Sequence, residues 1–412
     1  MIPLVLKNCR VFDGHSEELL ENRSLVIEGQ HIAGITENSE TPSGASHVID
    51  VGGKTVMPGL IDAHVHVMAE QVNLTNNDNT SRTAAILFAK DFMESALQRG
   101  FTSLRDAGGA DFTLVDAVDR DLIKGPRLFC SGYAISQTGG HGDFRDKHQH
   151  LYDACACTYV GGISKIADGV DQVRAMVRDQ LRLGASQIKL MLSGGVASPS
   201  DPIWMLQFSD DEIAAAVDEA TRSRTYVMGH AYSAEAIARV VKLGVRTIEH
   251  GNLIDHKAAQ IVKENEAFVV PTLATYWGIQ KEGRELGMSD ETMRKNDKVL
   301  DAGTAALETC QAAGAELGFG TDLLGSLHRY QTEEFVIRSE VMSPVDVLRS
   351  ATSINAKILN REAELGCIAP GALADVIVVD GNPLEDMKLF TAGGENVHIV
   401  IKNGRLCKNL SA

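Results

Sequence analysis

The sequence predicts an α/β protein, a (β/α)8 TIM barrel carrying a small β-sandwich domain built from both termini. Three observations predict it. Both ends of the chain read as short β segments punctuated by Gly, Ser, Asn and Pro. The middle alternates apolar strands with helical stretches over roughly 300 residues, the pattern of parallel βα units. Its unusual polar residues fall at or near the C-terminal ends of those strands, where function sits in such barrels.

The first fifty-odd residues contain PLVLKNCRVF, SLVIEGQHIAGI and SHVIDVGGKTVMPG, and the last fifty contain ADVIVVDG and NVHIVIKNGRLC. Apolar runs ending in Asn-Gly or Asp-Gly predict hairpin turns. Two β-rich ends around a different middle mark a discontinuous domain, 1–57 with 358–412, interrupted by a barrel over 58–357. Within the barrel the eight strand candidates are GLIDAHVHV, FTSLRDAG, RLFCSGYAI, SQIKLMLSGG, TYVMGHAY, RTIEHG, AFVVPTL and ELGFGTDL. Helical stretches such as SDDEIAAAVDEATRSR and SAEAIARVVKLG separate them. Ser209 and Ser233 read as N-caps, and Glu212 gives the first a full capping box.

Composition narrows the function classes. With 412 residues and 44% hydrophobic content the chain can bury a sizeable core. A formal net charge of −16 and no cluster of Lys or Arg argue against a nucleic-acid partner. No apolar run approaches the roughly 18 residues that span a bilayer, and the N-terminus lacks a signal-peptide pattern. The expected location is cytoplasmic. Seven scattered cysteines (Cys9, Cys130, Cys155, Cys157, Cys310, Cys367 and Cys407) suit a reducing compartment, and the C-A-C spacing at 155–157 is not that of common structural zinc or redox motifs.

The chemistry-bearing residues lie on the strands. His64 and His66, at i and i+2 of the first, share one side. Lys189 lies in the fourth, His230 and His250 end the fifth and sixth, and Asp322 ends the eighth. Four histidines and an aspartate at one end of a barrel are costly to bury unpaired, and they suit zinc or another first-row divalent ion. Beside two cations an ammonium is repelled, so Lys189 must be neutral, and a neutral amine can take up carbon dioxide as an anionic, bridging carbamate. Two divalent ions against a carbamate, Asp322 and a bridging hydroxide leave a residual charge near +1, which suits a developing oxyanion.

PGLIDAHVH at 58–66, the lysine at 189, GHA at 229–231, IEHG at 248–251 and GTD at 320–322 resemble the amidohydrolase superfamily, binuclear subtype with a carboxylated lysine. The likeness runs over nearly the whole chain, including G-x-L-A-D-V-I-V-V-D-G-N-P at 371–383. Within the superfamily, GHAY at 229–232, GGHGD at 139–143 and GTDLLG at 320–325 are similar to the imidazolonepropionase-like group that includes Xaa-Pro dipeptidases. The resemblance implies His64, His66 and Asp322 on one metal, His230 and His250 on the other, and Lys189 between them. Zinc is the expected ion. Asp322 and His250 are the candidate catalytic residues, Asp322 as general base and acid.

The reaction class expected is hydrolysis of an amide or related bond in a small-molecule or dipeptide substrate, by a protein expected to be a homo-oligomer. His141, Tyr232 and His328 are the candidate substrate-binding residues, with Arg329 beside the last. Trp204, Met205 and Leu206 either line an apolar pocket or dock against a neighbouring subunit. The favoured substrates are Xaa-Pro dipeptides or related N-acyl amino acids. A cyclic amidase of the imidazolonepropionase kind, a lactonase or phosphotriesterase-like enzyme, and a barrel that has lost its metals stay open.

Overall fold

A computed structural model describes residues 3–38, 47–77, 80–145, 162–198 and 201–410. The Cys155–Cys157 pair lies outside them. Cys9, Cys130, Cys310 and Cys367 are buried free thiols and Cys407 is an exposed one.

The two ends of the chain form one branched sheet. Its order runs Arg405–Asn409, Val397–Lys402, Val376–Val379, Thr55–Pro58, Leu4–Val11, Leu20–Glu28 and His31–Glu37, with His47–Asp50 also paired to Leu4–Val11. The N- and C-terminal halves join where Val376–Val379 runs antiparallel to Thr55–Pro58. Alternation of side chains gives this sheet two apolar faces. Leu6, Leu25, Ile27, Ile32, Val376, Val378, Ile399 and Ile401 close a core of their own, whereas Ile377, Val379, Val397 and Val400 pack into the main barrel core. Asn403-Gly404 forms the expected hairpin, both residues having positive φ (50° and 71°). Asp380-Gly381 does not: the strand after it pairs antiparallel with Val376–Val379 only from Val397 onward, across a connection holding two short 3-10 turns.

All barrel pairings are parallel. The strands are Leu60–Val65, Phe101–Asp106, Arg127–Cys130 continued by Ala134–Ser136, Ile188–Met191, Val227–Ser233, Thr247–Leu253, Phe268–Val270 and Glu316–Leu317. The third is broken in two, because Gly132 takes φ 71° and turns the chain there. Its first half pairs with the second strand and its second half with the fourth. The seventh stops before Pro271, which cannot donate to the ladder. The eighth is only two residues long, yet the chain beyond it closes the barrel: Ala63 N–H donates to Phe319 O at 2.8 Å, and Asp322 N–H to His64 O at 2.8 Å. A side chain at Gly320 would strike His64 and Val270, so only glycine lets these segments approach.

Between the strands lie amphipathic helices, including Arg82–Gln98, Val170–Leu183, Asp210–Arg222 and Ala234–Lys242. Ser209 and Glu212 form the predicted capping box, and Ser233 accepts from Ala236 N–H. Among the described residues no helix is long and apolar enough to cross a membrane.

Candidate active site

Parallel strands deliver their C-terminal ends to one face of a barrel, and there the structure brings His64, His66, Lys189, His230, His250 and Asp322 around one cavity. His64 and Asp322 converge because Asp62, buried below them, accepts from His64 N–H (3.1 Å), Thr321 N–H (3.2 Å), the Thr321 hydroxyl (2.7 Å) and Gln331 Nε2 (2.9 Å). Asp322 Oδ1 then lies 3.4 Å from His64 Nε2 and 3.3 Å from His66 Nε2. His250 and Asp322 both adopt left-handed backbone (φ 74° and 51°), unusual for residues with side chains and a mark of sites where function constrains the chain.

Each histidine of this set has one ring nitrogen engaged and the other free for the centre. His64 Nδ1 meets Glu249 Oε2 at 2.6 Å, His66 Nδ1 meets Gly108 O at 2.8 Å, and His230 Nε2 faces Gly194 O at 3.4 Å. His250 Nδ1 lies 2.8 Å from Thr272 Oγ1 and 2.9 Å from the Tyr276 hydroxyl. Such partners fix tautomer and ring orientation in metal-ligating histidines. The remaining nitrogen of His64, Nε2, is buried with no hydrogen-bond partner. Atoms of His64, His250 and Asp322 lie within 4.8 Å of one another. The donor set therefore fits a divalent cation.

The electrostatics agree with that fit. Burial holds His230 and His250 well below the ordinary imidazole range, so both are neutral. Burial alone would raise the Asp322 carboxyl, but His64, His66 and His250 hold it well below the usual carboxylate range. Lys189 is 1% exposed and makes no hydrogen bond or ion pair with a described residue. Its burial pulls the ammonium down to about 8, against the attraction of Glu249 and Asp322.

The expected substrate residues divide. His141 stacks on His230 (centroids 4.2 Å apart, 15° between planes) and its Nδ1 lies 3.1 Å from buried Asp201 Oδ2. Tyr232 stacks on His250 at 5.1 Å, and its hydroxyl lies 2.7 Å from that of Tyr276. Both line the cavity. His328 is not among its lining residues: it stacks on Phe92 at 3.8 Å with both ring nitrogens unpartnered, and burial lowers its pKa to about 3. Arg329 turns outward to Glu282 and Tyr330. Trp204 is 74% exposed and does not line the cavity, while its neighbour Ile203 is buried among Val196, Tyr232 and Tyr276. The apolar wall comes instead from Leu74, Phe144, Ile163 and Leu324.

Sequence reasoning missed Arg105, Glu249, Asp201, Thr272 and Tyr276. Arg105 and Glu249 carried a usable signal, since each is a charged residue inside an otherwise buried strand, only Leu253 at the end of the sixth being partly exposed. Glu249 accepts from Arg105 Nη2 at 2.9 and 3.0 Å. Burial by itself would raise this carboxyl, but Arg105 and His64 keep it below the carboxylate range.

The chain is similar to several known proteins. An ochratoxinase of Aspergillus niger is 32% identical over 411 residues, covering 95% of this chain and 84% of the relative. A crystal structure of a prolidase complexed with N-methylphosphonate-L-proline is 49% identical, covers 99% of this chain and all of its own, and superposes with a TM-score of 0.96. A Xaa-Pro dipeptidase with methionine bound in its active site is 30% identical, with a TM-score of 0.88 and coverage of 98% and 99%. Residues 55–407 match the amidohydrolase family model, and this chain belongs to the amidohydrolase family.

Proposed function

We propose that the protein is a binuclear metal-dependent dipeptidase or carboxypeptidase that hydrolyses the amide bond before a leaving amino acid with a free carboxylate. Xaa-Pro dipeptides are its favoured substrates and related N-acyl amino acids the next. The observation that carries this reading is that one cavity holds six would-be ligands, the hydrogen-bonding groups of His141 and Tyr232, and an apolar wall. The 49% identity to a prolidase holding a proline-derived phosphonate supports it.

In this reading His64, His66 and Asp322 would hold one ion, His230 and His250 the other, and Lys189 as a carbamate would serve both. Zinc suits these donors. The neutral Lys189 amine adds carbon dioxide, forming an N–C bond and releasing a proton, and the resulting carbamate supplies the anion that a buried, partnerless ammonium cannot. Divalent ions bound there polarise a carbonyl and lower the pKa of water. Asp322 receives the proton released on attack and returns it to the leaving nitrogen. Beside it His250 is held neutral. His141 and Tyr232 hold the leaving residue's carboxylate, and Leu74, Phe144, Ile163 and Leu324 take up apolar substrate surface.

A dipeptide library with free and blocked C-termini, assayed on protein of measured metal content, tests the proposal. Preferential cleavage of free Xaa-Pro dipeptides is expected. Preference for blocked or cyclic amides overturns the dipeptidase assignment, and well under one divalent ion per chain overturns the metal assignment.

A further inference from the structure

Tyr276 lies on helix Leu273–Glu282, is 1% exposed, and joins Tyr232 to His250 through its hydroxyl. Four distances constrain the protons there, and His250 Nδ1, 2.8 Å from Thr272 Oγ1, shares its one proton between that oxygen and the Tyr276 hydroxyl. The Tyr276 hydroxyl is 2.9 Å from His250 Nδ1, 2.7 Å from the Tyr232 hydroxyl and 3.4 Å from Thr272 Oγ1. A neutral imidazole that offers Nε2 to a cation carries its proton on Nδ1 and has no lone pair there. Tyr276 can therefore accept from His250 but not donate to it. Its single proton goes to the nearest remaining acceptor, the Tyr232 oxygen at 2.7 Å, in preference to Thr272 at 3.4 Å. With that oxygen accepting from Tyr276, the Tyr232 proton has no other protein acceptor among the described residues and turns to the cavity that Tyr232 lines.

We propose that Tyr276 is a positioning residue that fixes Tyr232 as a hydrogen-bond donor to substrate: a protonated His250 Nδ1, shared between Thr272 and Tyr276, leaves the Tyr276 proton only to the Tyr232 oxygen. The inference rests on the reading above, in which His250 holds an ion and Tyr232 meets substrate, and it adds that His250 does so through Nε2, because its Nδ1 is taken up by Thr272 and Tyr276. It narrows the substrate class. A donor locked in this sense suits an oxygen that carries no proton of its own, such as a free carboxylate. Hydrogen bonds in series also polarise one another, so the last donor is strengthened.

The decisive experiment is a double-mutant cycle with Tyr232→Phe, Tyr276→Phe and the double variant. Kinetics on a free-acid Xaa-Pro dipeptide and its amide are combined with calorimetric binding of L-proline and metal analysis. Tyr276→Phe removes one oxygen and keeps the ring. It is expected to weaken proline binding and to lower kcat/KM for the free acid roughly 2- to 10-fold, the range for one neutral hydrogen bond, with metal content unchanged. The double variant should lose no more than Tyr232→Phe alone, because Tyr276 acts through Tyr232. Losses that multiply, or loss of metal in Tyr276→Phe, overturn the relay. If the wild type leaves free Xaa-Pro dipeptides intact, the dipeptidase reading fails by itself, and the same cycle on whichever amide is cleaved still decides the relay.

Discussion

Glu249 Oε2 stands 2.6 Å from His64 Nδ1 while the same carboxylate is gripped by Arg105 Nη2 at 2.9 and 3.0 Å. The three side chains form a fully buried line from the second barrel strand, through the sixth, to the first. Its effect is to fix which nitrogen of His64 faces the centre. Glu249→Gln should therefore lower metal affinity about 10- to 100-fold, the usual cost of losing a group that orients a ligand. Metal retained after dialysis against a graded chelator measures it, and wild-type retention would remove Glu249 from that role. Arg105→Met, which strands the carboxylate, should destabilise the fold by about 3–5 kcal/mol, read from denaturant unfolding.

Asp322→Asn should keep much of its bound metal and lose hydrolysis by at least about two orders of magnitude, the scale of general acid–base assistance. Turnover near wild type would take Asp322 out of proton transfer. His64→Asn and His230→Asn should instead lower metal content.

Lys189→Ala should lose metal and activity together. Added short carboxylates should restore part of both by occupying the vacated bridge. Full metal occupancy in the alanine variant would show that Lys189 bridges nothing.

Tyr232→Phe should leave metal content alone and depress cleavage of free Xaa-Pro acids roughly 10- to 150-fold, the cost of one hydrogen bond to a charged group. The gap between acid and amide substrates should narrow. An unchanged ratio would mean that the carboxylate is held elsewhere.

The gathering of these residues at the barrel mouth was legible because histidines and an aspartate at the ends of apolar strands have few bland explanations, and strand alternation places them without knowledge of the tertiary fold. Asp322 shows where that reasoning stops. Its hydrogen-bonded strand ends five residues earlier, and contacts with His64 and Asp62, far away in sequence, carry it to the site. Tyr276 gave no signal, since a tyrosine in a helix is ordinary until the fold sets its hydroxyl beside His250. Trp204, Met205 and Leu206 were expected to line a pocket or a subunit contact, but Trp204 and Leu206 are exposed and their neighbour Ile203 is the residue that goes inside. Periodicity cannot separate neighbours in an irregular loop. Gly132 lies within a strand-like run, and only its left-handed φ reveals the break.

The pairing of Thr55–Pro58 with Val376–Val379 has a consequence for synthesis. A ribosome adds about 5–20 residues per second, so the edge at 55–58 waits on the order of 15–60 s for its partner strand to be made. The first barrel strand starts at Leu60, two residues beyond that edge, and bears His64. A nascent chain thus holds an unsatisfied strand edge beside His64 and His66 while the whole barrel is being made, which is when a cell's chaperones have a long claim on it.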